Sequence, residues 1–169
     1  MSYFAAALLR RDAGWSAEEI DLDEVEDLEA LAELLRDLTG EGPGPAMLLL
    51  EENDEYVAVV RVDGGVGALA EPRVFLSDRR AVQGSDVAAM LWEEADSDDE
   101  DVEPEEDEDE GSRPVADPVG DAGLLEDLGV SSDVLLTLCA EEGRLPADVL
   151  TELCILAGCD DVLERLREG

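Results

Sequence analysis

The stretch Ala46-Met-Leu-Leu-Leu-Glu-Glu-Asn-Asp-Glu-Tyr-Val-Ala-Val-Val-Arg-Val62 decides the fold. Its two apolar runs, 46–51 and 56–62, predict strands, and Asn53-Asp54 between them predicts the turn of a hairpin. Working outward, Gly42-Pro-Gly-Pro45 breaks the chain before the first run, and Arg73 to Leu76 supplies a third strand, so an antiparallel meander is expected. Upstream, Ser2 to Arg10 reads as a strand and Trp15 to Leu22 as another, separated by the Asp12-Ala-Gly14 turn. A helix follows, because Val25, Leu28, Leu31, Leu35 and Leu38 step by three and four residues. Asp23 and Glu26 have the spacing of a capping box, and Gly40 is its expected stop. Ser85 or Asp86 caps a short second helix through Val87, Met90 and Leu91 to Trp92. The order ββαβββα predicts an α+β fold, an antiparallel sheet with two helices, over residues 1–92.

Beyond that point the composition changes. The 169 residues carry 47 Asp and Glu against 11 Arg, with neither Lys nor His, for a formal net charge of −36. By segment the net charges are −13 for 1–92, −14 for 93–111 and −9 for 112–169, and the middle segment contains no Arg. Such a run repels itself and has almost nothing to bury, so residues 93–118 are expected to form an acidic, disordered linker. Residues 119–169 read as four short helices forming a small all-α module: Asp121–Leu128, Ser132–Glu142, Pro146–Ala157 and Asp160–Arg167. Gly129, Gly143 and Gly158 end the first three, Ser131 or Ser132 is an N-cap, and Pro146 suits a first helical turn. A bundle of this size is marginal alone, so it is expected to dock on the first module or on a partner.

The composition also excludes functions. Without Lys there is no Walker-type phosphate lysine and no Schiff-base lysine. Without His there is no His-based triad and no His-containing zinc site. Direct binding to nucleic acid or to an anionic membrane needs cationic side chains, which leaves a basic protein as the expected partner. No stretch approaches the roughly 20 apolar residues that span a bilayer. The N-terminal apolar run has its arginines behind it, the reverse of a signal peptide. Cys139, Cys154 and Cys159 are too few and too clustered for a disulfide framework, so a reducing, cytoplasmic location is expected.

Cofactor or metal chemistry finds little support in the motifs. The cysteines lack a CxxC pair. Cys139 and Cys154 fall on apolar helix faces as small hydrophobes, while Cys159, at a helix start, is expected to be the exposed and reactive one. Asp96, Asp98 and Glu100 mimic the start of a calcium loop but lack its glycine. Asp63-Gly-Gly-Val-Gly67 lies between strands, not at a helix N-terminus, and reads as an inter-strand loop. No cofactor, catalytic residue or metal ligand is assigned. The candidate partner-binding residues are Trp15 and Trp92 as interface anchors, the cationic pair Arg79 and Arg80, and Glu105, Glu106, Asp107 and Glu108 in the acidic run. Internal salt bridges compete for the arginines and core burial for the tryptophans.

Ser2-Tyr-Phe4, Gly14-Trp15, Tyr56-Val-Ala-Val-Val-Arg-Val-Asp-Gly64 and Pro72-Arg-Val-Phe-Leu-Ser-Asp78 carry a resemblance, together with Gly120-Asp-Ala-Gly-Leu-Leu-Glu-Asp-Leu-Gly129, Leu138-Cys139 and Pro146-Ala-Asp-Val-Leu150. In these the chain resembles the tRNA adenosine deaminase-associated proteins of high-GC bacteria, and its arginine-only composition fits such a genome. The pattern departs at Gly65–Glu71, which reads as an insertion. The resemblance implies association with a deaminase and supplies no catalytic residues. The chain is not itself the deaminase, since it lacks the His-x-Glu and Pro-Cys-x-x-Cys that hold zinc and shuttle the proton. The expected function is a non-catalytic binding or regulatory protein whose acidic linker engages a basic partner surface. The alternative is an assembly or regulatory protein unrelated to tRNA editing, in which the acidic run serves solubility.

Overall fold

The computed structural model describes residues 3–11, 14–39, 46–52, 56–62, 73–78, 85–95, 119–140 and 145–168. The strands are β1 (Tyr3–Arg11), β2 (Gly14–Glu19), β3 (Ala46–Glu52), β4 (Tyr56–Val62), β5 (Arg73–Leu76) and the two-residue β6 (Val119–Gly120). They form one sheet in the order β2-β1-β3-β4-β5-β6, with every neighbouring pair antiparallel. The α+β fold and the meander of β3, β4 and β5 follow the sequence pattern. The hairpin turn at Asn53-Asp54, the helix stop at Gly40 and the glycine-rich loop at 63–67 lie outside the described residues.

The register sorts side chains onto two faces. Ala7, Leu48, Val60 and Val74 are cross-strand neighbours on the first face, and Ala6, Leu49, Val59 and Phe75 are neighbours on the second. All eight are buried. Helices α1 (Leu28–Thr39) and α2 (Asp86–Ala95) cover the first face through Leu28, Leu31, Ala32, Leu35, Ala88 and Leu91. The second face is covered by α3 (Ser132–Ala140), α4 (Pro146–Ala157) and α5 (Asp160–Glu168), which share a core with Leu8, Met47, Leu49, Val57, Val59 and Phe75. The helical segment therefore docks on the sheet itself. Leu135, Leu138, Leu150, Leu153 and Leu163 share one buried cluster with the strand residues, with α4 lying against β3 and β4 and α5 against β2.

Local chemistry explains where the elements begin. Asp21 accepts from Asp23 N at 3.0 Å and caps a separate 3₁₀ turn, Leu22–Glu24. Asp27 then accepts from Ala30 N at 2.8 Å, so α1 starts at Leu28 and the Asp23/Glu26 box is not its cap. Ser85 accepts from Ala88 N at 3.1 Å and Ser131 from Val134 N at 3.3 Å, as their cap positions predict. α2 continues through Ala95, three residues into the acidic run.

Residues 121–128 differ from the expected helix. Their spacing of Leu124, Leu125 and Leu128 is helical, yet turns over 122–125 and a 3₁₀ turn, Glu126–Leu128, form there instead of an α-helix. The cause lies at β6. Asp121 N bonds Val74 O at 2.9 Å in continuation of the ladder, and the Asp121 carboxylate takes Gly123 N at 3.1 Å in an Asx turn. These bonds commit the backbone to a turn before a helix can nucleate.

Gly120 adopts φ +102°, and a Cβ there would stand 2.3 Å from Val74 O. Gly158 has φ +86° with nothing within 4 Å of a Cβ. Gly120→Ala is expected to cost about 2–4 kcal/mol, joining left-handed strain to a backbone collision. Gly158→Ala should cost about 1–2 kcal/mol from strain alone. Urea denaturation of the two variants checks the order, and equal losses would refute the collision at β6.

Candidate partner-binding surface

Among the described residues, the buried polar side chains Glu52, Arg61 and Ser77 each have hydrogen-bond partners within the chain. On the first face Glu52 is buried at the end of β3, where Tyr56 Oη donates to its Oε1 at 2.8 Å and Ser85 Oγ makes a further short hydrogen bond to the same oxygen. Since Ser85 also caps α2, this trio ties the β3–β4 hairpin to the start of that helix. Ser77 exchanges two bonds of 2.9 Å with the Val57 backbone, extending β5 by one residue with its side chain.

On the second face Arg61 and Arg73 are directly opposed on β4 and β5, an arrangement that repels unless anions intervene. Arg61, 5% exposed, donates through Nη1 and Nη2 to both carboxylate oxygens of Asp127, at 2.5 and 2.9 Å, and to Leu124 O at 2.6 Å. Arg73 donates to Asp121 at 2.8 Å. The hydrogen bond from Arg61 holds the Asp127 carboxyl below its ordinary pKa against the opposing effect of burial. Arg167 joins α5 to the sheet, bonding Glu51 at 3.0 Å and stacking over Phe4.

The three thiols are free and buried. Burial pushes the Cys139 thiol up to about 12. Cys159 corrects the sequence reading: it is 1% exposed, because the turn after α4 folds it back onto Cys154 instead of presenting it to solvent. A hydrogen bond with Cys159, followed by desolvation, raises the Cys154 thiol strongly. Among the described residues no cluster of three or more Cys, Asp and Glu side chains is disposed to hold a metal ion. No described helix is long and apolar enough to cross a membrane.

The sequence-derived interface candidates divide accordingly. Trp15 lies on β2, at one edge of the sheet, half-buried against the second-face core with the Arg10 guanidinium 5.6 Å above its ring. It is a wall of the core and a surface residue at once. Arg79, Arg80, Glu105, Glu106, Asp107 and Glu108 lie outside the described residues, and so does the Trp92 side chain, although its backbone belongs to α2. Among the described residues Val134, Leu136, Leu145, Ile155 and Leu156 also reach the surface, Leu145 and Ile155 furthest at 50% and 51% exposed. The signal for Ile155 was available, since it sits opposite the buried stripe of Val149, Leu150, Leu153 and Cys154 on a helix apolar nearly all round.

A family model described as Rv3753c-like tRNA adenosine deaminase-associated protein matches residues 3–159. No curated protein and no solved structure matches the chain. The chain belongs to the Rv3753c-like tRNA adenosine deaminase-associated protein family, as its sequence motifs indicated.

The Arg61–Asp127 pair gives a pH-dependent expectation. Because the folded carboxyl titrates below its unfolded value, its contribution is present above about pH 4 and fades as the pH falls through the folded pKa. Asp127→Asn should lower stability by up to about 1 kcal/mol at pH 7, since the carboxylate is largely exposed and its charge screened. The difference from the parent should shrink as pH falls from about 5 toward 2. Urea titrations across that range check it; a gap independent of pH would remove the ionic contribution.

Proposed function

We propose that the chain is a non-catalytic binding protein that docks on a tRNA adenosine deaminase, with residues 93–111 engaging a basic surface of that enzyme. The observation that carries this reading is the charge of −14, unrelieved by any Arg, in that one segment of a member of this family. A surface that binds tRNA must neutralise phosphates, so it is basic and complementary to such a run. The acidic segment would compete there with tRNA and hasten encounter by electrostatic steering.

The fold supports the placement. α2 enters the acidic run from the first face beside β5, and β6 leaves it by pairing with β5. The described elements on both sides of the run thus lie against one strand. Trp15, Arg79, Arg80 and Trp92 remain the proposed contacts outside the acidic run, with Glu105, Glu106, Asp107 and Glu108 as the centre of the acidic contact. Arg61, Arg73 and Arg167 are bound to carboxylates of this same chain, which leaves its acidic excess unopposed by them.

Size-exclusion chromatography of the protein with the deaminase of the same genome, at low and high salt, is the decisive experiment. Co-elution is expected, with displacement by added tRNA. A variant in which the acids between 96 and 110 become Asn or Gln should bind about tenfold or more weakly at low salt and close to normally at high salt. A loss insensitive to salt would overturn the electrostatic role. No co-elution at either salt, with tRNA editing unchanged when the gene is deleted, would favour the alternative of an assembly protein unrelated to editing.

A further inference from the structure

α4 ends in a Schellman turn. Gly158 takes the left-handed conformation, its N–H bonds Ile155 O at 3.3 Å, and the N–H of Cys159 reaches back to Cys154 O at 2.8 Å. In this motif the residue after the glycine commonly meets, through its side chain, the residue five positions earlier, and the contact is ordinarily apolar. Here both positions are cysteine. Each is 1% exposed, both belong to the second-face core, and the Schellman backbone bond of 2.8 Å draws the two residues together. Packing alone would be served by two small aliphatic side chains. What the sulfur pair adds is a reaction partner held in contact, so each thiol meets the other at far higher effective concentration than any thiol in solution.

We propose that Cys154 and Cys159 are a dithiol modification site, converted by a hydroperoxide into an intramolecular disulfide across the α4–α5 turn. The first sulfur attacks the terminal peroxide oxygen and the O–O bond breaks, giving a sulfenic acid and releasing the other oxygen as an alcohol, or as water from hydrogen peroxide. The second sulfur attacks the sulfenic sulfur, the S–S bond forms and water leaves. Both thiol protons end on the departing oxygens, and the two electrons lost by the sulfurs reduce the peroxide.

Access sets the rate. Both sulfurs are shielded from solvent, so the closed structure protects the pair and reaction proceeds through local opening of α5. That helix is held by buried Leu163, by partly buried Val162 and Leu166, and by Arg167 on Glu51 and Phe4. The site is therefore quiet in the closed fold and reactive whenever the terminal helix lifts. A bond so formed would fix the turn until a thiol reductant removes it.

The test is peroxide treatment of the folded full chain, followed by alkylation under denaturing conditions, digestion and mass spectrometry. The expected product is a monomer in which Cys154 and Cys159 have together lost two hydrogens, Cys139 is alkylated, and dithiothreitol restores all three thiols. Arg167→Ala, which loosens α5, should accelerate the reaction roughly fivefold or more. A disulfide that includes Cys139, a purely intermolecular product, or no crosslink in folded protein under conditions that oxidise the urea-unfolded chain would each overturn the assignment.

Discussion

Two apolar faces on one sheet impose the rest of the structure. Leu48, Leu50 and Val60 point one way while Leu49, Val57 and Val59 on the same strands point the other, and all are buried. At roughly 25 cal/mol for each Å² of apolar surface, neither face can be left in water without a large loss. α1 and α2 supply cover for the first face, but they exhaust the described chain before the acidic run. The second face must wait for residues 124–163, so the acidic segment is spanned by a core that needs both of its flanks.

Charge inside this frame is met by partners from the same chain at Arg61, Arg73 and Glu52. The opposed Arg61 and Arg73 would be a defect in the sheet if the chain returning at β6 did not bring Asp121 and Asp127 to them. Those bonds fix where the returning chain lies, as β6 fixes its register. The same economy appears at Glu52, whose carboxylate is met by two hydroxyls, one of which also starts α2. In a protein of net charge −36, Arg61, Arg73 and Arg167 each join separate parts of the fold through a carboxylate.

The strands and caps were legible because each rests on a local signal: a valine-rich run, a serine before an apolar turn, a proline at a helix start, a glycine after α4. What was not legible depended on distant groups. A two-residue strand such as β6 has no pattern of its own and exists through its pairing with Phe75 and Leu76. The 121–128 turn looked helical because its leucines are spaced for a helix, and its true shape comes from bonds to Val74, Arg61 and Arg73. Cys159 looked exposed because helix starts usually are, whereas the turn that places it also closes it over Cys154. The docking of the helical segment carried one overlooked clue: the runs Met47-Leu-Leu-Leu50 and Val57-Ala-Val-Val60 do not alternate with polar residues, as a sheet buried on both sides requires.

The late arrival of the second-face cover has a consequence during synthesis. β1, β3, β4 and β5 leave the ribosome well before α3, α4 and α5, with residues 96–163 still to be made after α2. At roughly 5–20 residues per second this interval lasts on the order of several seconds. Throughout it, Ala6, Leu8, Met47, Leu49, Val59 and Phe75 have no helix of their own to lie against. The intervening acidic run, of net charge −14, is the next part to emerge, so the face stays bare until that whole run has been made.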